Sequence, residues 1–428
     1  MSERMGLTSD VLVLGAGMAG LSAARELSHR GLGVTLLEAR ARPGGRILTE
    51  EVPGWESPVE LGAEFVHGRP GELFELIDTA GLTRVSSDAP HRRKATRGFD
   101  DQSGNFWSDI EQALTAFEVT ARDISAAEFL ASGSLPARAA QSFAGYLEGF
   151  HAGELDRISM RSVVRQMSDD DAEQGRIRQG YGELVEFLAK DVASLGARLL
   201  LKARVSVVRW APGSVVAVAD DVDFRARAAL VALPLSVLKA GAEGDGVSLE
   251  PEPEAVRRGL DALEMGQALR VVLRLRGRVG LSQELAPGSF VHGIDAEFPT
   301  LWLGPNEHET QVTTWCGGPR AMRLGELDAH SIVAAATRSV AMGLDVSVEA
   351  LGEQLLDTHV HSFGSDPFSR GAYPYALVGG DARGAFDPVS STFFFAGDYT
   401  VPEELGTVGI AVKSGVFAAR AIIEALRG

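Results

Sequence analysis

The strongest constraint on this chain is the run Gly15-Ala16-Gly17-Met18-Ala19-Gly20, set between the apolar stretch 11–14 and a helix-forming segment that extends to about Arg30. A Gly31/Gly33 break and a second apolar strand over 34–37 follow. Strand, glycine turn, helix and strand form a βαβ unit, the context in which the G-x-G-x-x-G spacing has physical meaning. The first glycine permits the tight turn, the second lets backbone approach a pyrophosphate, and the third lets the helix pack closely on the strand. Met18 and Ala19 open the helix, whose N-terminal N–H groups and partial positive charge face the phosphates. Glu38 ends the second strand 18 residues beyond Gly20. There a carboxylate accepts hydrogen bonds from an adenosine ribose and disfavours a 2′-phosphate. A flavoprotein reductase fed by a nicotinamide usually carries a second such motif; none follows here, which points to FAD and a separate electron acceptor.

Beyond this unit, residues from about 105 to 195 read mainly as helix, with Ala, Leu and Glu prominent in 111–117 and 184–195. β-Branched residues alternate with others over 199–218, and strands are expected over 269–275, 311–315 and 392–395. The segment 327–357 reads as helical, and a last helix runs from about Val408 to Leu426. The expected fold is α/β: a doubly wound, Rossmann-like FAD/NAD(P)-binding domain with an interleaved α+β substrate domain of mixed sheet plus helices. The absence of repeats and long linkers makes the regions interleave; by the family resemblance set out below, 1–85, 196–240 and 385–428 form the FAD-binding domain and 86–195 and 241–384 the substrate domain. At 428 residues and 45% hydrophobic composition the chain can bury a large core.

The formal charge of −17 and pI near 5.0 argue against a nucleic-acid partner, which needs clustered cations, and mildly favour a cationic substrate. The one basic run, His91-Arg92-Arg93-Lys94, reads as a solvated loop without a function. Cys316 is the only cysteine, so neither an intramolecular disulfide nor a cysteine metal site is expected, and a reducing compartment fits. The N-terminus lacks the features of a signal peptide, and the longest apolar run, 228–238, contains Pro234 and is too short to span a bilayer. A cytoplasmic protein with no membrane partner and no metal is expected; the oligomeric state is left open.

Directly after Glu38, Ala39-Arg40-Ala41-Arg42-Pro43-Gly44-Gly45-Arg46 resembles the E-A-R-x-R-x-G-G-R signature of the flavin-containing amine oxidases. That family includes monoamine, polyamine and L-amino acid oxidases and flavin histone demethylases. The resemblance implies cofactor contacts by Ala39, Arg40, Gly44, Gly45 and Arg46, the glycine pair turning N–H groups to the diphosphate and Arg46 pairing with phosphate or lying near the flavin. Glu60-Leu61-Gly62-Ala63-Glu64-Phe65-Val66-His67-Gly68 is similar to the L-G-A-x-W-I-H-G segment of polyamine oxidases. It implies that Gly62, Ala63 and Glu64 pass beside the isoalloxazine and that His67 faces the substrate. Val205 lies in a stretch like the family's second FAD-contacting strand, implying a backbone contact to adenine, and 229–238 resembles the V-x-x-x-P-L-x-V-L segment that follows. Phe394-Phe395-Ala396-Gly397-Asp398-Tyr399-Thr400 looks like F-F-A-G-E-x-T, and Gly406-Thr407-Val408 like G-T-V. By that likeness Gly397 and Asp398 approach the ribityl chain, and Thr407 and Val408 bring a helix N-terminus to the pyrimidine end of the flavin, where negative charge grows on reduction.

The resemblance also implies the chemistry: an uncharged amine gives hydride to flavin N5, the imine hydrolyses, and oxygen takes the electrons as peroxide. Tyr373 matches an aromatic-cage tyrosine, while Thr407 stands where monoamine oxidases carry the second aromatic, implying a one-sided cage. Ala372 replaces the cysteine that attaches flavin covalently in monoamine oxidases, implying non-covalent FAD. Three departures bear on activity. Arg270 replaces the family's active-site lysine, and could stabilise an anionic flavin, grip a substrate carboxylate, or turn away. Phe363 replaces a tryptophan. Ile410 stands where glycine allows close approach to the flavin. The expected reaction is therefore amine oxidation, with Arg270, Tyr373 and His67 as catalytic-site residues. An L-amino acid oxidase, a carbon–carbon desaturase or dehydrogenase, and a non-catalytic FAD-binding protein stay open as alternatives.

Overall fold

The computed structural model describes residues 8–55, 57–87, 89–99, 105–117, 122–168, 174–277, 285–304 and 310–427. Its largest sheet has eight strands, in the order Ser248–Glu250, Val205–Ala211, Ser214–Ala219, Val222–Val231, Thr8–Leu14, Val34–Glu38, Arg198–Leu201, with Phe393–Phe395 also joined to Val222–Val231. Val222–Val231 serves two partners in succession: its first half pairs antiparallel with Ser214–Ala219, and residues 229–231 pair in parallel with Phe393–Phe395. Thr8–Leu14, Val34–Glu38 and Arg198–Leu201 are parallel to one another and Thr8–Leu14 is parallel to Val222–Val231.

Period-two alternation explains why Thr8–Leu14 ends in four consecutive apolar residues. Val11 and Val13 face a cluster with the helices Met18–His29, Tyr181–Ser194 and Val408–Arg427, whereas Leu12 and Leu14 face the cluster that contains Val208, Ala217, Leu260 and Tyr399. A strand covered on both faces must be apolar at every position. The helix Tyr181–Ser194 thus packs with the large sheet, although the sequence boundary at 195 assigned it to the substrate region. Ser248–Glu250 likewise carries the sheet past 240. Periodicity shows that a helix has an apolar face, but not which neighbour covers it.

A second sheet has the order Leu355–His361, Ala268–Leu275, Thr310–Gly317, Thr300–Leu303, Phe290–His292, His91–Arg93. All its pairings are antiparallel except the last. Leu269, Val271, Leu273 and Leu275 point to one face, where Ile332, Ala336 and Val340 of helix Ala329–Gly343 cover them. Arg270, Val272 and Arg274 therefore lie on the other face. Two expectations change here. The helical reading of 327–357 ends at Gln354, because Leu355 begins a strand. The basic run is not a solvated loop: His91–Arg93 is an edge strand held by Phe290–His292. A three-stranded sheet of Phe65–His67, Gln174–Ile177 and Arg84–Ser86 interrupts the stretch read as mainly helical. Among the described residues no single helix is long and apolar enough to cross a membrane.

Candidate functional site

A cavity of about 690 Å³ runs from the glycine turn at the end of Thr8–Leu14 to the open face of the second sheet. At its first end the geometry belongs to backbone. Gly15 has φ +100°, and a Cβ there would lie 2.6 Å from the Ala232 carbonyl oxygen; at Gly20 it would lie 1.9 Å from that of Gly15. Gly17 is different: apart from its own chain neighbours, nothing lies within 4 Å of its hypothetical Cβ, so the turn is open to the cavity at the position expected to meet pyrophosphate. Gly45 is in the left-handed region, where a Cβ would lie 3.4 Å from the Gly17 Cα, and the Gly44 amide donates to the Ala16 carbonyl at 2.8 Å. Met18, Ala19 and Ala39 line the same end.

Glu38 is buried there with Oε2 accepting from the Ala16 amide at 2.9 Å and Oε1 from the Arg40 amide at 2.8 Å. The acid thus ties the two cofactor loops together as well as facing the cavity. Arg40 points to Asp366 and Ser369, at 2.9 and 2.6 Å, and Arg42 donates to the carbonyls of Pro43, Gly45 and Ile47, holding the glycine pair in shape. Arg46 makes a two-nitrogen pair with Asp398, both contacts at 2.7 Å, and donates to the Ala372 carbonyl at 2.7 Å. Phosphate pairing by Arg46 and ribityl contact by Asp398 were separate expectations; the structure couples the two side chains to each other at the cavity wall. Gly62 sits so close to this loop that a Cβ would fall 2.0 Å from the Arg46 carbonyl oxygen, and the Ala63 amide donates to that oxygen.

Val205, Gly397, Thr407 and Val408 also line the cavity. Thr407 Oγ1 accepts from the Ile410 amide at 3.2 Å, at the start of helix Val408–Arg427. Ile410 itself is buried and is not among the lining residues, whereas Ala411 is. At the position where the family pattern has glycine, the helix thus turns the Ile410 side chain into the interior and not to the cavity wall.

The second end belongs to side chains. Arg270 is 5% exposed, donates from Nη1 to the Glu60 carbonyl at 2.6 Å and reaches Glu64 Oε2 at 3.3 Å. Its guanidinium lies over both the Trp302 and Trp315 rings, 5.1 and 5.4 Å from their centroids. It has not turned away from the cavity. Nη1 is engaged, while Nε is buried without a partner. Burial lowers its pKa while Glu64 and Glu60 oppose that change. Glu64, expected beside the flavin, is the hub of this end: Arg176 Nε donates to Oε1 at 2.8 Å, and Trp302 Nε1 lies 3.2 Å from both oxygens.

Tyr373 lines the cavity with its ring parallel to Trp315 within 3° at 6.5 Å, and the Tyr373 hydroxyl and Trp315 Nε1 both donate to the Gly149 carbonyl, at 3.2 and 2.9 Å. One acceptor thus fixes two rings, giving Tyr373 an aromatic companion other than the residue at Thr407. Burial holds His67 at about 4, so this cavity-lining imidazole is neutral at pH 7; it stands edge-on to Phe150. Phe363 also lines the cavity, edge-on to His361. Cys316 is buried outside the lining, its thiol pushed up to about 12.

Several lining residues had no sequence signal. Trp315 meets Arg270 because the two are register partners across antiparallel strands, and His91 joins the wall because its strand pairs with Phe290–His292. His91 Nδ1 and His292 Nε2 lie 2.8 Å apart, and both rings stack with Phe290. Arg176, which stands behind the lining over Phe65, comes from a stretch read as helix. Among the described residues no group of three or more metal-ligating side chains occurs.

The arrangement of mixed sheets and helices is that of amine oxidases of known structure. Cyclohexylamine oxidase from Brevibacterium oxydans matches with a TM-score of 0.83 at 18% identity, over 98% of this chain and 100% of that one. Putrescine oxidase bound to putrescine gives 0.80 at 20% identity, over 98% and 100%. In sequence, polyamine oxidase 5 of Oryza sativa subsp. japonica is 26% identical over 449 aligned positions, 96% of this chain and 86% of that protein. A family model described as flavin containing amine oxidoreductase matches residues 18–423, and the chain belongs to that family. It is a flavin-dependent oxidoreductase with FAD as its cofactor. The residues present fit that group: open space at Gly17, two glycine backbones side by side and a carboxylate at the strand end form an extended cradle.

Proposed function

We propose that this enzyme oxidises an amine at the carbon bearing nitrogen, with non-covalently held FAD and with oxygen as the final acceptor. The observation that carries the reading is the continuity of the cavity, which joins the glycine turn to a chamber walled by Tyr373, Trp315 and His67. In this reading the Rossmann-like half binds FAD, with Gly15, Gly17, Met18, Ala19, Gly44 and Gly45 about the diphosphate and Gly20 closing the helix on the strand. Glu38 meets the ribose, Val205 the adenine, and Thr407 and Val408 the pyrimidine edge. Bound flavin supplies the acceptor for a hydride from the amine's α-carbon. The amine loses two electrons and two protons to become an imine, water converts the imine to a carbonyl compound, and oxygen reduced by the same two electrons and two protons leaves as hydrogen peroxide.

The protein's share is placement and exclusion of water. Tyr373 and Trp315 are locked by one carbonyl, so their rings confine the reacting carbon. Neutral His67 offers a hydrogen-bond site without repelling a cation. Arg270 is held by Glu60 and Glu64, which supports a charged, fixed group beside the chamber rather than a proton shuttle.

The test is anaerobic bleaching of the flavin band by a panel of amines, followed by readmission of oxygen. Bleaching by an amine, with recovery of the band and formation of peroxide in air, is the expected result. Bleaching by L-amino acids alone would move the function to amino-acid oxidation. A yellow protein that no amine or amino acid bleaches would overturn amine oxidation and leave a carbon–carbon desaturase or a non-catalytic flavoprotein.

A further inference from the structure

The proteins alike in sequence and fold are named for polyamines, putrescine and cyclohexylamine, substrates that differ in whether a second positive charge must be accommodated. Electrostatics in the second chamber bear directly on that difference. Four carboxylates line the whole cavity among the described residues: Glu38, Glu64, Asp245 and Asp398. Glu38 lies at the glycine turn, Asp245 lies by Arg204 at 3.3 Å, and Asp398 is paired with Arg46. Glu64 is thus the described carboxylate of the second chamber, and it is held by Arg176 on one oxygen, Arg270 on the other and Trp302 on both.

Arg176 and Arg270 thus neutralise Glu64, and the buried Glu60 carboxyl, pushed up to about 7 by desolvation, also acts on Arg270. Around this cluster the wall is aromatic: Phe65, Phe290, Trp302, Trp315, Tyr146 and Phe150 all line the chamber. Arg176 is buried and stacks its own guanidinium over Phe65, with its centre 4.4 Å from the ring centroid, without lining the cavity itself. A cation buried behind an aromatic wall acts on a substrate through the field it sets up, and in a low-dielectric chamber that field is poorly screened.

Resting on the amine-oxidase reading, we infer that this chamber selects a monoamine with an aromatic or alicyclic body and discriminates against di- and polyamines, with Arg176 as the positioning residue that cancels Glu64. A second ammonium would lose its water shell beside two guanidinium groups without a free carboxylate among the described lining residues to receive it. An apolar ring instead gains by leaving water against the aromatic wall. The acidic charge of the whole protein draws di- and polyamines more strongly than monoamines at long range, but salt screens that field, whereas the buried chamber is screened much less.

The experiment compares anaerobic bleaching rates of the FAD-loaded enzyme with 2-phenylethylamine, putrescine, spermidine and L-phenylalanine. Phenylethylamine is expected to reduce the flavin at least about tenfold faster than putrescine or spermidine at equal concentration, the size of effect one poorly screened charge produces. A diamine that equals or exceeds it would overturn the inference while leaving amine oxidation intact. Equal bleaching by L-phenylalanine would also overturn it. Should no amine bleach the flavin, the amine-oxidase reading itself fails, and the inference with it. Arg176→Met should raise the putrescine-to-phenylethylamine rate ratio about tenfold, while Arg176→Lys keeps the wild-type ratio. A merely structural role for Arg176 would slow both substrates and leave the ratio unchanged, which would overturn its assignment. Should the Met variant fail to retain FAD, the wild-type panel decides.

Discussion

The two ends of the cavity are made from different parts of the polypeptide. At the glycine turn the wall is backbone, shaped by residues with no side chain and by carboxylates whose oxygens hold backbone amides in place. At the second sheet the wall is side chain, shaped by indole, phenol and imidazole rings around a cluster of buried charge. A diphosphate is the same in every enzyme that binds FAD, so a cradle of N–H groups suits it and tolerates little change. Substrates differ, and side chains on a rigid sheet can be exchanged without rebuilding the backbone.

The sharpest way to break this contrast is at the two glycines that differ most in surroundings. Gly17→Val should leave the unliganded fold within about 0.5 kcal/mol of wild type, because its Cβ meets open space and its φ of −75° suits any residue. FAD affinity should nevertheless fall by about a hundredfold or more, measured by flavin titration. Gly20→Val, with a Cβ placed 1.9 Å from the Gly15 carbonyl oxygen, should fail to give folded protein. If the first variant binds FAD normally, the backbone-cradle account is wrong.

Next in size is the pair that closes the cofactor end. Arg46→Met strands Asp398, which is 6% exposed, and should cost about 2 kcal/mol, read as a lower unfolding temperature and faster flavin release. An unchanged release rate would mean that the pair serves packing alone.

Acid should act chiefly on the other end. Burial holds His67, His91 and His151 at about 4 and His292 at about 3, so these cavity-lining rings stay neutral in the folded protein. Unfolded histidines protonate near 6.5, so between about pH 6.5 and 4 the unfolded chain binds more protons. The stability contributed by these rings is full above that window and is lost as pH falls through it. Glu60 has the opposite sign: desolvation pushes it up to about 7 from 4.5, and its contribution, full at low pH, is lost as pH rises from 4.5 to about 7. Four groups against one should make the unfolding temperature fall from pH 6.5 to 4.5. A rise over that range would show that Glu60 outweighs the histidines.

The smallest effect is expected at Ile410. Ile410→Val should cost about 1 kcal/mol through lost packing, with the visible spectrum of bound FAD unchanged, because the side chain lies away from the cavity. A shifted flavin band would restore the close approach read from the sequence.

Legibility followed the same division. The glycine turn, Glu38 and the arginine–glycine run are contiguous motifs whose spacing carries the geometry, and most of their residues line the cavity at one end, Gly20 and Arg42 lying behind it. The second chamber was legible at Tyr373, His67, Arg270 and, in another role, Glu64, residues marked by resemblance to a family pattern. Trp302, Trp315, His91, His292 and Arg176 are far apart in sequence and meet through strand pairing, which no local signal records.

The sequence by itself determined the βαβ opening, the family and the cofactor, because tight turns and phosphate approach demand particular residues at fixed spacing. It also showed that Arg270 departs from the family pattern. Only the tertiary structure decided what that departure does. Period two turns Arg270 away from the core face of its strand, antiparallel register sets it beside Trp315, and Glu64 then joins it to Arg176 from a third sheet. The charge of the chamber is a sum over residues from separate elements, and such a sum exists only once those elements are packed.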